Sequence, residues 1–109
     1  MAITSTQSKG PASVSNVAVG AYIDTGTVAA FTITCGFKPR YVRIVNETSM
    51  DEGEWFEGMA DNEIFKRLAA GTATMHTASG ITPTTHGFTV GLDPDLVVSS
   101  EQLSWIAIG

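Results

Sequence analysis

The chain has 109 residues, 43% of them hydrophobic and 16% charged, with a formal net charge of -5 and one cysteine. That length holds one domain, the lone Cys35 excludes an internal disulfide, and six Lys and Arg against eleven Asp and Glu exclude a ligand held mainly through its phosphates, so no direct nucleic-acid partner is expected. No run reaches the roughly 18 apolar residues of a membrane span, and the opening MAITSTQSKGPAS lacks the charged-then-apolar layout of a signal peptide, so neither a membrane partner nor export is expected.

Residues 1–16 carry six Ser or Thr, the pair Gly10-Pro11 and only scattered apolar side chains, among them Ile3 and Val14. Such a stretch buries too little apolar surface to order itself, but it can order against a neighbour. It is read as an N-terminal arm, with the domain proper at 17–109.

From residue 17 the texture changes to short apolar stretches punctuated by turn residues every eight to twelve positions, an all-β rhythm. Residues 17–23 form a first strand that ends at Asp24-Thr25-Gly26, which is read as a hairpin turn with Asp24 capping its own backbone and Gly26 at positive φ. Across 28–35, Phe31, Ile33 and Cys35 alternate with Thr32 and Thr34, the pattern of a half-buried strand. Gly36-Phe37-Lys38-Pro39 breaks the ladder, because proline has no amide hydrogen to donate. Residues 41–46 then resume it, with Val42 and Ile44 inward and Arg43 toward water.

An acidic turn leads into a strand at 54–57. Residues 61–70 are ambiguous, since Ile64 and Leu68 stand four apart yet Ile64, Lys66 and Leu68 also alternate; the strand reading is preferred. Strands follow at 72–77 and 87–91, with Gly80 and Pro83 marking a connection between them. After Asp93-Pro94-Asp95, residues 96–98 pair briefly, and 103–108 form a last strand, read as central and buried on both faces. About eight short strands with no long helix to make crossovers fit a single antiparallel β-sandwich or jelly-roll-like domain.

Several residues invite chemistry. Ala21-Tyr22-Ile23-Asp24-Thr25-Gly26-Thr27 has the apolar-apolar-Asp-Thr-Gly form of retroviral-type aspartic proteases, in which two like carboxylates share one proton. Thr27 stands where that motif carries Ala or Ser, and the hairpin turn is the preferred reading. Asp51, Glu52, Glu54 and Glu57 offer oxygens to a hard cation, although their spacing fits no calcium loop and an electrostatic dock for a basic partner is the simpler reading. Cys35, His76 and His86 lack the short spacings of a zinc site. No catalytic residue, metal or cofactor is assigned. Trp55 and Phe56 stand among acids, so at least one ring is expected outward or in an interface.

The blocks Gly36-Phe37-Lys38-Pro39-Arg40-Tyr41-Val42-Arg43-Ile44-Val45-Asn46, Glu54-Trp55-Phe56-Glu57-Gly58-Met59-Ala60-Asp61, Gly80-Ile81-Thr82-Pro83, Gly87-Phe88-Thr89-Val90 and the terminal Trp105-Ile106-Ala107-Ile108-Gly109 together resemble small virion proteins of tailed bacteriophages, over roughly 17–109. The resemblance implies a non-enzymatic decoration or cement protein, made in the bacterial cytoplasm and bound to the capsid exterior. Its partners would be the major capsid protein and its own copies, as a dimer or trimer. The expected interface comprises Ile3 and Val14 of the arm with Glu52, Glu54, Trp55, Phe56 and Glu57. The alternative is a tail-fibre or virion-tip module that binds host glycans on Trp55 and Tyr41, and the remote alternative is a dimeric aspartic protease using Asp24.

Overall fold

In the computed structural model, which describes residues 16–109, eight strands follow in order: β1 (Val17–Ile23), β2 (Phe31–Thr34), β3 (Tyr41–Asn46), β4 (Glu52–Phe56), β5 (Glu63–Arg67), β6 (Ala73–Thr84), β7 (Gly87–Val90) and β8 (Gln102–Ile108). They form one antiparallel sheet in the order β1-β8-β3-β4-β5-β6-β7-β2. The fold is the expected all-β class. Among the described residues no helix is long and apolar enough to cross a membrane.

Strands β3 to β7 run as a meander of hairpins, while β1 and β2, adjacent in sequence, sit at opposite edges. The sheet curls so that those edges approach each other: the Tyr22 and Phe31 rings meet edge to face at 4.7 Å, and Phe88 of β7 meets Trp105 of β8 at 5.4 Å. Between the two halves lies the core, built from Val42, Ile44, Trp55, Ile64, Ile81, Phe88, Val90, Leu96, Val97, Leu103 and Ala107. Apart from Leu96 and Val97, these side chains are sent inward by strand alternation, as in β3, where Val42, Ile44 and Asn46 are buried and Arg43 is exposed.

Several expectations change. Residues 24–26 are not a hairpin turn, because β1 and β2 do not pair; the Gly26 amide does donate to Asp24 Oδ1 at 3.0 Å, but Gly26 is not among the positive-φ glycines. The segment instead starts a crossover between sheet edges. It zips onto the returning crossover after β7 through an Asp24–Ser99 bridge, an amide bond from Ser100 to the Asp24 carbonyl and a hydroxyl bond from Ser99 to the Gly26 carbonyl. Residues 96–98 belong to that crossover and make no strand; Leu96 and Val97 plug the core.

The expected connection at Gly80 and Pro83 is continuous strand. Glu63 pairs with Ile81 while Ile64 pairs with His76, so residues 77–80 are extruded and β6 bends there. Gly80 is required at the bend, since a Cβ would lie 2.4 Å from the Glu63 backbone. Beyond it, Pro83 pairs with Phe88 past the end of β5, where its missing N–H costs no bond to that strand.

Strand β8 is central in pairing, between β1 and β3, but it is not buried on both sides. Leu103 and Ala107 are enclosed whereas Ile108 is exposed, because among the described residues nothing covers the outer face.

Candidate functional site

That outer face is the most distinctive surface of the molecule. Cross-strand register aligns outward side chains in rows. The first row reads Val17, Ile108, Tyr41, Phe56, each opposite the next on neighbouring strands. The second reads Val19, Ile106, Arg43, Glu54, Phe65, Met75. Toward β1 the face is apolar and open: Val19 is 72% exposed, and Val17, Ile23 and Ile108 also stand out. A shallow groove of about 430 Å³ follows the second row between Val19, Ile106, Arg43, Val45 and Ser104.

Toward β4 and β5 the face becomes charged. Glu52 accepts from Arg43 Nη2 at 2.6 Å and from Arg67 Nη1 at 2.5 Å, and these bonds hold its carboxyl below the usual range against the opposing effect of burial. Arg67 also lies over the Phe65 ring, 5.7 Å from its centroid. Tyr41 donates its hydroxyl to Glu54 Oε2 at 2.6 Å. Partial burial, that hydrogen bond and the carboxylate charge push the phenol up to about 12. The Tyr41 ring packs at 5.1 Å against Phe56, which remains 49% exposed.

The structure places the residues expected at an interface unequally. Glu52, Glu54 and Phe56 share the outer face, and Glu57 lies in the exposed turn beyond β4, its amide bonded to the Arg40 carbonyl. Trp55 is withdrawn from the surface: it points inward at 2% exposure and donates its ring N–H to the Ala60 carbonyl. Alternation forces this, because Trp55 has the opposite parity to Glu52, Glu54 and Phe56. Ile3 and Val14 lie outside the described residues.

Other candidates are dispersed. Asp51 accepts from Ser49 and from the Ala69 amide, Glu52 binds two arginines and Glu54 binds Tyr41, so the acidic group does not converge on a shared point. Cys35 donates to the Phe37 carbonyl, and His86 contributes its backbone carbonyl to the turn at Cys35 and Gly36. Among the described residues no group of three His, Cys, Asp or Glu is placed to hold a metal ion. Asp24 borders a cavity of about 340 Å³ with Tyr22, Ile23 and Phe31, between the two sheet edges.

One constellation escaped the sequence reading. Lys66 is 1% exposed, and its ammonium lies 3.0 Å from both oxygens of Asp93 and 2.5 Å from Asp95 Oδ2. Burial works against the charge, but the bonds the ammonium donates to Asp95 and Asp93 outweigh it and raise the lysine above its ordinary value. The signal was the alternation of Ile64 with Lys66, which puts a lysine on an inward face, together with Asp93-Pro94-Asp95 in a later loop. Its role is to tie the crossover across the end of the core. Comparisons of the chain with protein-family models, curated proteins and solved structures find no match.

Proposed function

We propose that this protein is a non-enzymatic structural protein of a tailed-phage virion, of the decoration kind, that docks on the capsid exterior and reinforces contacts between major capsid subunits. The observation that carries the reading is the row Val17, Ile108, Tyr41, Phe56, an apolar strip on four neighbouring strands with most of its side chains open to water. Contiguous exposed apolar surface on a small domain marks an interaction site. The Arg43-Glu52-Arg67 network beside the strip supplies a polar rim that fixes orientation. The resemblance of the sequence blocks to small virion proteins is the ground for reading the partner as a capsid. Repetition over a shell then converts modest single contacts into reinforcement of the whole.

The glycan-binding reading keeps one supporting observation. Tyr41 and Phe56 form an outward aromatic pair beside the Glu54 carboxylate, an arrangement suited to stacking a sugar ring and accepting from its hydroxyls.

Cosedimentation with assembled, undecorated capsids tests both readings. The expected result is saturable binding by the full chain, weakened at least tenfold by Phe56→Asp. Absence of binding to shells, with binding to host envelope glycans that Phe56→Asp abolishes, would replace the capsid reading by the second one.

A further inference from the structure

Among the described residues, strand β1 is an edge with none of the usual protection. Natural edge strands are blunted by lysine, proline, bulges or shortness, yet β1 runs seven residues, VAVGAYI, with no charge and no proline. The pairing phase identifies its open groups. The Gly109 amide donates to the Asn16 carbonyl at 2.8 Å, and the Ser100 amide donates to the Asp24 carbonyl at the other end. Even-numbered residues of β1 therefore bond toward β8, and the N–H and C=O groups of Val17, Val19 and Ala21 point to the free side.

We infer that this edge pairs with β1 of a second copy, antiparallel about a two-fold axis at Val19, so that two outer faces join into one continuous sheet. The inference deepens the virion reading by naming a partner of the same surface, although its physical basis is independent of the capsid. Two features select a second copy over an unrelated strand. In a two-fold contact the same patch must complement itself, and in this register Val17 meets Ala21 of the second copy while Val19 meets its equivalent, every meeting side chain being apolar. Charge points the same way: each copy carries -5 overall, but the outward side chains of β1 and β8 include no ionisable group, so two copies approach with least repulsion along this flank. The opposite edge is a poorer template, since β2 has only four residues and its outward Thr32 and Thr34 are polar.

Analytical ultracentrifugation of the full chain is expected to show a concentration-dependent dimer. Ala21→Pro deletes a free-side donor without removing a bond to β8, so the variant should keep its far-ultraviolet dichroism and weaken dimerisation at least a hundredfold. Val19→Lys, which leaves the backbone intact, should do the same by placing two ammonium groups face to face. In a Cys35→Ser background, Val19→Cys thiols of two copies should couple through a short bismaleimide. A full chain that stays monomeric, a dimer that survives both Val19→Lys and Ala21→Pro, or a dimer whose Val19→Cys thiols do not couple would each overturn the proposal. A β1 dimer that fails to bind capsids would leave this inference standing while removing the capsid reading.

Discussion

The ammonium of Lys66 on β5 and the carboxylate of Asp93 in the crossover after β7 form an ion pair sealed inside the sandwich, with the two side chains 2% and 1% exposed. Asp95 adds a second carboxylate from the more open side, and its own amide donates to Asp93 Oδ1 at 2.8 Å. Every hydrogen of the ammonium thus has an acceptor, which is the condition under which a buried charge is tolerated.

Removing Asp93 leaves Lys66 with Asp95 as its one remaining carboxylate. Asp93→Asn is expected to lower stability by about 1.5–3 kcal/mol, the range for weakening hydrogen bonds to a buried charged group. Replacing the pair together, as Lys66→Met with Asp93→Leu, removes both charges and should cost markedly less than the single change. Urea denaturation of the single and double variants checks this. A single Asp93→Asn protein as stable as the parent would show that Asp95 alone satisfies the lysine.

Acid and alkali act on different groups. Glu52 is held below its ordinary value of 4.5 by Arg43 and Arg67, so its contribution is complete above that value and is lost as pH falls through the lower folded value. Lys66 is raised above 10.5, so its contribution is complete below 10.5 and is lost as pH rises through the higher folded value. Glu52→Gln should therefore flatten the acid limb of a melting-temperature profile and leave the alkaline limb unchanged. A parallel shift of both limbs would contradict the assignment.

Both tyrosines resist ionisation. Tyr22 is raised by burial and by the Asp93 charge while donating to the Leu96 carbonyl at 2.6 Å, and Tyr41 is pushed up to about 12. Raised values mean stabilisation that is complete below the unfolded value of 10.0 and lost above it. The phenolate absorbance of the folded protein should stay low at pH 10 and rise on addition of denaturant. Half-titration at pH 10 in the native state would show that neither hydroxyl is engaged as described.

The bounds of β1 and β3 were legible because apolar and polar residues alternate there between clear turn signals. Parity likewise separates Trp55 from Phe56, once Glu52 and Glu54 fix which way the strand faces. Pairing partners were not legible: Asp24-Thr25-Gly26 has hairpin chemistry, but the sheet curls, and long-range packing of Tyr22 on Phe31 sends the chain from one edge to the other. The bend in β6 was hidden for a similar reason, since Gly80 and Pro83 signal a break locally while flanking pairs with β5 and β7 keep the strand continuous. Lys66 and Asp93 are 27 positions apart, and nothing local to either announces the other.

Asn46 offers the sharpest test of how the crossover is held. Its side chain is fully buried, and its Nδ2 donates to the Asp95 carbonyl at 3.0 Å and to Glu101 Oε1 at 2.8 Å, while Oδ1 accepts the Thr48 and Ser49 amides. Asn46→Asp keeps the shape and the accepting side but turns two donors into an acceptor that faces a carbonyl and a carboxylate. Each mismatched buried group costs about 1–3 kcal/mol, so a loss of about 2–4 kcal/mol is expected at neutral pH. Acidification should recover part of it, because a protonated carboxyl at position 46 can donate again to Glu101 or to the Asp95 carbonyl. Urea midpoints at pH 7 and pH 5 measure both effects, with the parent as reference for the ordinary acid dependence. A variant that loses stability equally at both values would mean that the site repacks around water instead of presenting the carboxylate to Glu101, and that the crossover owes its position to Leu96, Val97 and the Lys66 pair alone.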